Sequence, residues 1–215
     1  MKLYKYRSFQ EFDFVADILR EQRFHTSSFF DLNDPMEGLF EYPRGTKQKY
    51  IEAIVKGKRK LRICSFSKDR KNVLLWAHYA DGFKGICIEV DLREPQLDSY
   101  EIATVEYSPQ LFFFSNNARH LVNEMPRIIL RKKNKVWKYE KEVRTLSKEE
   151  YIHNGVSIKK VLLGLRTPDN LKENIFRITP QHIPIFETYI SNSDKVVKVV
   201  QKRQRFRPRG GGNCR

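Results

Sequence analysis

The sequence predicts an α+β fold in which mixed and antiparallel twisted sheets are flanked by helices. Short runs of alternating apolar and polar residues predict strands, and in the clearest of them Ile86, Ile88 and Val90 share one face. Residues 12–23 instead place apolar side chains at helical spacing. The strands and helices follow no regular βαβ order, which favours an α+β arrangement over a parallel sheet.

The elements are predicted from hydrophobic periodicity and turn residues. Strands are expected at residues 3–6, 23–27, 62–67, 85–91, 101–107, 142–145 and 157–165, and a closing hairpin at residues 183–189 and 195–200. Helices are expected at residues 12–23, 47–60, 73–79, 117–138 and 168–174. Turns are expected at Asn33-Asp34-Pro35 and at Asp81-Gly82, because these residues favour non-helical backbone.

Composition indicates a folded and strongly basic chain. Its 215 residues include 15 Phe and 10 Tyr, and its formal net charge is +15. Such a charge favours polyanionic partners, although general solubility explains it equally well. We expect one domain over residues 1–203, followed by a disordered basic tail over residues 204–215.

Several protein classes lack their usual signals in this sequence. The three cysteines form no C-x-x-C pair, and the five histidines show no metal-ligand spacing, so no metal is expected. No Walker loop, G-x-G-x-x-G or G-x-S-x-G motif is present. The first residues contain no hydrophobic signal core and no run reaches about 18 apolar residues. We therefore expect a soluble cytoplasmic protein with no membrane partner.

Candidate catalytic groups lie near position 140. Glu140 and Glu142 point to the same face if both lie on an extended strand. One carboxylate can then stabilise developing positive charge, and the other can orient or deprotonate an acceptor. The alternative is an exposed charged strand, in which Lys141 and Arg144 neutralise them. His78 can act as an acid, a base or a phosphate ligand, or it can be a buried structural histidine.

Candidate ligand-binding residues lie on three other segments. Arg7, at the end of the first strand, can hold a pyrophosphate or form a structural ion pair. Tyr6 and Tyr79 can stack on a base or fill the core. Ser8 and Ser65 offer small polar groups beside them. A basic stretch around Trp137 favours a nucleic-acid backbone or a solvated helix face: Arg127, Arg131, Lys132, Lys133 and Lys135.

Six segments together resemble a bacterial and phage family of unknown function, family 2971. They are LYKYRSF (residues 3–9), NDPMEG (33–38), ICSFS (63–67), LLWAHYADGFKGICIEVD (74–91), WKYEKEVR (137–144) and VLLG (161–164). The sequence departs from the family pattern at Phe83, where many relatives carry a His. The family name implies no activity.

The layout is similar, more weakly, to that of ADP-ribosyltransferase toxins of toxin–antitoxin and phage-defence systems. That resemblance implies NAD as a substrate and a nucleic acid or protein as the acceptor. It implies Glu142 as the ribose-side carboxylate and Glu140 as its assistant, in the spacing of an E-x-E motif. It also implies Arg7 on the dinucleotide, and Ser65 or Ser67 supporting the glutamate.

Two other functions remain open from the sequence. The basic surface is also typical of a noncatalytic nucleic-acid-binding accessory protein of a phage or defence system. A metal-dependent nuclease would need a carboxylate cluster, and Asp34, Glu37, Glu89 and Asp91 are the candidates.

Overall fold

The fold is described by a computed structural model that covers residues 1–95, 99–191 and 197–202. The tail predicted over residues 204–215 lies outside the described residues. Five α-helices are present in the described part. They are α1 (Phe12–Glu21), α2 (Gln48–Arg59), α3 (Val73–Tyr79), α4 (Met125–Ile129) and α5 (Asp169–Ile178). Three 3-10 helices accompany them, at Phe29–Asp31, Asn116–Leu121 and Lys135–Glu140.

Fifteen strands complete the described part, several of them only two residues long. The first eight are β1 (Lys2–Arg7), β2 (Phe24–His25), β3 (Ser27–Ser28), β4 (Phe40–Glu41), β5 (Arg62–Ser67), β6 (Ile86–Leu92), β7 (Tyr100–Thr104) and β8 (Glu106–Ser108). The others are β9 (Phe112–Phe113), β10 (Lys132–Asn134), β11 (Glu142–Ser147), β12 (Tyr151–Ile152), β13 (Val156–Leu163), β14 (Ile185–Ile190) and β15 (Val197–Lys202).

One large mixed sheet organises the molecule. Its strand order is β15-β14-β13-β6-β1-β5-β11-β7, and β3 pairs with β5 beside this path. Every pairing in it is antiparallel except that of β13 with β14. The predicted α+β class with mixed and antiparallel sheets is therefore confirmed. No helix in the described ranges is both long and apolar enough to cross a bilayer.

Both faces of the sheet are covered, because alternate side chains of its central strands are apolar in both directions. On one face Leu3, Ile88 and Val143 pack with the apolar stripes of α1 and α5. On the other, Tyr6 and Cys87 pack against Leu75 and Trp76 of α3. Cys64 and Cys87 are buried free thiols, as their apolar strands predicted.

Residues 80–85, directly after α3, form a tight turn that packs against the end of β1. Asp81, Gly82 and Phe83 all have positive φ angles, and Phe83 stacks in parallel on the Trp76 ring at 5.8 Å. A Cβ on Gly85 would lie 2.2 Å from the carbonyl oxygen of Arg7. Because glycine has no side chain, the backbone at position 85 can pack directly against the end of β1.

The predicted helix at residues 117–138 is wrong. The chain there forms a 3-10 helix, the short α4, the strand β10 and a second 3-10 helix. Pro126 lies in the first turn of α4, and a proline cannot continue a helix from the preceding turn because its ring clashes with that turn. Asn134 then accepts a hydrogen bond from the backbone N–H of Val136 and starts a new helix. Apolar spacing continues across both Pro126 and Asn134, so it predicts one long helix where the chain forms several short elements.

Candidate functional site

The main pocket opens where β1 separates from β5. The two strands are paired at Tyr4 and Ser67, whereas the other end of β5 pairs with β3 through Ile63 and Ser27. The gap between these pairings forms a cavity of about 360 Å³. This size lies within the range of small-molecule binding sites.

Most of the predicted site residues line this one pocket. They are Tyr6, Arg7, Ser8, Ser65, His78, Tyr79, Glu140 and Glu142. They come from β1, β5, α3, the 3-10 helix Lys135–Glu140 and β11. Arg7 and Glu142 therefore line the same cavity.

A cluster of five buried charged side chains is centred on Lys133, and four of the five line the pocket. The Lys133 ammonium nitrogen lies 2.6 Å from Oε2 of Glu140, 3.1 Å from Oε2 of Glu142 and 3.2 Å from Oε1 of Glu37. The Trp137 ring covers Lys133, with its centroid 5.0 Å from the nitrogen. Together with Arg144, the four charged residues form what we call the charged cluster: Glu37, Lys133, Glu140, Glu142 and Arg144.

Arg144 holds Glu142 from the same strand. Its Nε and Nη2 donate to the two carboxylate oxygens of Glu142 at 2.7 and 3.0 Å, and its Nη1 donates to the Leu130 carbonyl at 2.8 Å. Residues two apart on a strand share a face, which is why this pair forms. The guanidinium is also ion-paired with Glu37. All three side chains are almost completely buried.

Glu37 reaches the cluster through the turn predicted at Asn33-Asp34-Pro35. Oδ1 of Asp34 accepts a hydrogen bond from the Met36 N–H at 2.9 Å, and the Glu37 N–H donates to the Asp34 carbonyl at 3.0 Å. Gly38 follows with a φ of +75°, where its missing side chain leaves room for the Phe29 ring. The turn therefore aims Glu37 inward, and Asn33 and Glu37 both line the pocket.

Glu140 and Glu142 do not lie on one strand, so the geometry predicted for them is wrong. Glu140 ends the 3-10 helix Lys135–Glu140, Lys141 has a positive φ, and Glu142 begins β11. Their carboxylates still converge, because both bind the Lys133 ammonium group. The alternative of an exposed charged strand is also wrong, since both glutamates are buried.

The cluster sets different protonation tendencies for its carboxylates. Burial opposes ionisation of Glu142, but Arg144 and Lys133 outweigh it and lower its pKa to about 2, with a smaller contribution from the Ser65 hydroxyl. For Glu140, burial outweighs the attraction of Lys133 and raises the pKa above its ordinary value. Burial likewise raises the pKa of Glu37. Three carboxylates face two cations, so the group whose ionisation is most disfavoured can carry a proton.

Tyr79 and His78 occupy different positions at the pocket. The Tyr79 hydroxyl donates a short hydrogen bond to Oε1 of Glu140, and burial raises the pKa of this phenol. His78 is exposed at the rim, with its ring 6.4 Å from the Tyr139 ring. Its alternative as a buried structural histidine is therefore wrong.

Arg7 and Lys5 form a basic wall of the pocket. Nε of Arg7 is shielded from solvent and has no hydrogen-bond partner among the described residues, and one terminal nitrogen lies 3.9 Å from the exposed Glu11. The Lys5 ammonium group donates to the Ser65 carbonyl at 2.8 Å, and burial lowers its pKa. Ser8 lies next to them and accepts a hydrogen bond from the Gln10 N–H at 3.0 Å.

Tyr6 has a structural role in addition to lining the pocket. Its ring packs edge-on against Trp76 at 5.3 Å, and its hydroxyl donates to the Asp69 carbonyl at 2.8 Å. Burial raises the pKa of this phenol. Ser67, the other serine of β5, donates to the backbone carbonyl of Glu140 at 2.6 Å. This bond fixes the backbone just before β11 begins.

The basic stretch predicted to bind nucleic acid is divided by the structure. Arg127 and Arg131 both bind Glu101, at 2.9 and 2.6 Å, and Lys132 pairs with Glu106. Lys133 is buried in the charged cluster, and Lys135 is the only one of the five predicted residues that is exposed. As a continuous basic helix face this prediction is wrong.

The four carboxylates considered for a nuclease do not meet. Glu89, on β6, pairs with Lys2 and Lys160. Asp91, on the same strand, pairs with the amino terminus and Arg93. Asp34 and Glu37 lie on the turn described above. Within the described residues, no three His, Cys, Asp or Glu side chains are grouped to hold a metal ion.

Sequence reasoning missed the contribution of Glu37, Lys133 and Lys5 to the pocket. Glu37 and Lys133 carried a usable signal, since each lies in or beside a segment that resembles the family. No sequence signal indicated that they are buried, because a charged residue in a polar stretch is normally exposed. Burial became evident only when three separate segments met at one ammonium group.

Comparison with known proteins gives a family but no activity. Residues 75–145 match the model of a family described as a protein of unknown function (DUF2971). The match runs from α3 to β11 and includes Tyr79 and four of the five charged-cluster residues. No curated protein and no solved structure matches the chain. The match over residues 75–145 supports the resemblance to family 2971 for that part of the chain.

Proposed function

We propose that this protein is an ADP-ribosyltransferase-like enzyme that uses NAD as a substrate and acts in phage–host conflict. The observation that carries the proposal is the charge arrangement of one pocket. Arg7 and Lys5 line the cavity, and four residues of the charged cluster, Glu142 among them, line the same cavity. A ligand that suits this arrangement has a phosphate group and a separate part that develops positive charge, and NAD has both.

The strand register sets a suitable distance between these two parts. Glu142 lies opposite Ser67, which lies opposite Tyr4 on β1. Arg7 is three residues, or about 10 Å, further along β1, and β1 lies two strand spacings from β11, so the two backbone positions are about 14 Å apart. This spacing supports a pose with the pyrophosphate at Arg7 and the nicotinamide ribose at Glu142.

The chemistry would follow from the different states of the two glutamates. The bond between nicotinamide nitrogen and ribose C1′ breaks, its electron pair leaves with nicotinamide, and positive charge develops on the ribose. Glu142, kept ionised by Arg144 and Lys133, would stabilise that charge in a site with little water. Glu140 would take the proton of the acceptor as the acceptor's lone pair forms the new bond to C1′.

The test is nicotinamide release from NAD, followed by chromatography in the presence of DNA, RNA or cell lysate. Wild type is expected to release nicotinamide, and Glu142→Gln to lose at least 100-fold of that activity. Glu173→Gln on the exposed face of α5 is the matched control and should be fully active. Circular dichroism of each variant separates loss of chemistry from loss of fold.

Two results would contradict the proposal. One is the absence of nicotinamide release by wild type under every acceptor condition, which would favour a noncatalytic nucleic-acid-binding protein. The other is full activity of a folded Glu142→Gln variant, which would remove Glu142 from the reaction.

A further inference from the structure

A surface beside the pocket combines exposed lysines with partly exposed aromatic rings. It is built from two segments that touch directly, residues 68–72 and 135–141, and from His78 on α3. The Lys68 N–H donates to the Lys141 carbonyl at 3.1 Å, and the Asn72 side chain donates to the Tyr139 carbonyl at 3.0 Å. We call it the lysine–aromatic surface; its members are Lys68, Lys71, Lys135, Lys138, Lys141, Trp137, Tyr139 and His78.

The charges of this surface are almost uncompensated. All five lysines are exposed. The acid in the same two segments that faces them is Asp69, which Lys141 already binds at 2.9 Å. Burial opposes ionisation of Asp69, but Lys141 and the Lys71 backbone outweigh it and lower its pKa, so that the pair stays charged. Glu140, the other acid, is turned inward to Lys133. A polyanion therefore meets positive charge across the whole surface.

The rings form a line that runs to the pocket. Trp137 and Tyr139 have centroids 6.1 Å apart, and the Tyr139 ring is 6.4 Å from that of His78. The His78 ring lies 6.3 Å from Tyr79, and both residues line the pocket. Bases of a duplex are stacked on one another, so only unpaired bases can stack on such rings.

We infer that the lysine–aromatic surface binds single-stranded nucleic acid and presents it to the pocket, with phosphates on the lysines and bases on Trp137 and Tyr139. The inference rests on the proposed function in one respect only, namely that the bound strand is the acceptor. The binding itself requires neither NAD nor Glu142. It also differs from the sequence prediction, since four of the five basic residues named there are paired or buried.

The binding test uses 5′-labelled 12-mers of deoxythymidine and of uridine, and a 12-bp duplex, with fluorescence anisotropy and no NAD. Wild type should bind at least one single strand about tenfold more tightly than the duplex. The logarithm of its affinity should fall with the logarithm of salt concentration, with a slope of roughly −3 for four or five phosphate contacts. Comparison of the two single strands distinguishes DNA from RNA.

The matched variants are two double charge reversals. Lys68→Glu/Lys138→Glu removes exposed lysines of the surface and should weaken single-strand binding at least tenfold. Lys56→Glu/Lys60→Glu changes the net charge equally on exposed positions at the end of α2 and should have less than a threefold effect. Equal losses in both variants would show unspecific attraction to a basic protein and would overturn the inference.

Trp137 supplies an independent optical signal. The other tryptophan, Trp76, is completely buried and stacked on Phe83, so a change in tryptophan emission on binding reports Trp137. Single-strand binding should quench this emission, and Trp137→Phe should abolish the quenching while retaining most of the affinity. Preference for the duplex, or binding without quenching, would contradict stacking of bases on this ring.

One further readout separates this inference from the proposed function. If both hold, Lys68→Glu/Lys138→Glu still hydrolyses NAD with water but no longer modifies a single strand. If wild type binds single strands yet releases no nicotinamide, the surface assignment stands and the proposed function fails. If NAD hydrolysis occurs without single-strand binding, or the double variant still modifies a strand at the wild-type rate, the surface assignment fails.

Discussion

Glu142 and Arg144 form a buried bidentate ion pair, with donor–acceptor distances of 2.7 and 3.0 Å. The two residues alternate with Val143, which points to the opposite face and packs in the main core. Removing two charges from water is costly, and such a pair persists when further hydrogen bonds satisfy it. Lys133 and the Leu130 carbonyl provide them here.

Glu142→Gln should change how stability depends on pH. The folded pKa of Glu142 is about 2 against an ordinary 4.5, so its contribution to stability is present above pH 4.5 and is lost as the pH falls towards 2. That contribution amounts to at most about 3 kcal/mol. The variant should therefore lose less free energy of unfolding between pH 5 and 2 than wild type in urea titrations. An equal loss in both proteins would show that Glu142 is not held ionised by its partners.

Lys133→Met should destabilise the protein by about 3 kcal/mol at pH 8, because three buried carboxylates would then face a single cation. Glu140 and Glu37 already have raised pKa values, and loss of Lys133 raises them further. A raised pKa gives stability below the ordinary value of 4.5 that is lost as the pH rises through the folded pKa. The defect should therefore be smaller at pH 5 than at pH 8 in urea unfolding.

Lys132→Met provides the matched control for this variant. Lys132 pairs with Glu106 at the surface, where an ion pair is worth less than about 1 kcal/mol. A defect of equal size in the two variants would mean that the charged cluster does not depend on Lys133.

Arg7→Gln should weaken NAD binding at least tenfold and leave the melting temperature almost unchanged. The Arg7 guanidinium makes a loose ion pair with the exposed Glu11 and lies 5.7 Å from the Phe14 ring centroid, so its removal costs the fold little. A charged hydrogen bond to phosphate is worth about 1.5–3 kcal/mol. Calorimetric titration with NAD measures the effect. Arg23→Gln, which loses a surface pair with Asp17, should bind as wild type does. Unchanged binding by Arg7→Gln would place the pyrophosphate elsewhere.

Tyr79→Phe should shift the pH dependence of NAD cleavage. The Tyr79 hydroxyl lowers the pKa of Glu140 against the larger effect of burial, so its removal raises that pKa. If Glu140 acts as the base, the acid side of the pH–rate profile moves to higher pH, by roughly one unit. Tyr139→Phe removes a neighbouring hydroxyl that has no contact with Glu140 among the described hydrogen bonds, and its profile should not move. A fixed profile in Tyr79→Phe would exclude Glu140 as the titrating base.

The local elements were predictable because their signals are local. Apolar spacing predicted α1, and alternation predicted β6 with Ile86, Ile88 and Val90 on one face, as the structure shows. Helix α3 was predicted with its observed ends, since Asn72 caps it through the Leu74 N–H at 2.9 Å. The exceptions, such as residues 117–138, are places where one proline or one cap outweighs periodicity.

By itself, therefore, the sequence determined the α+β class, the order of the principal elements and most of the polar residues that line the pocket. Only the tertiary structure decided that Glu37, Glu140 and Glu142 meet at Lys133, because they come from segments up to 105 positions apart along the chain. It also decided that Arg127 and Arg131 are paired with Glu101 while Lys68 and Lys138 remain exposed. Burial and pairing of charge depend on which segments fold against one another, and no local pattern encodes that partnership.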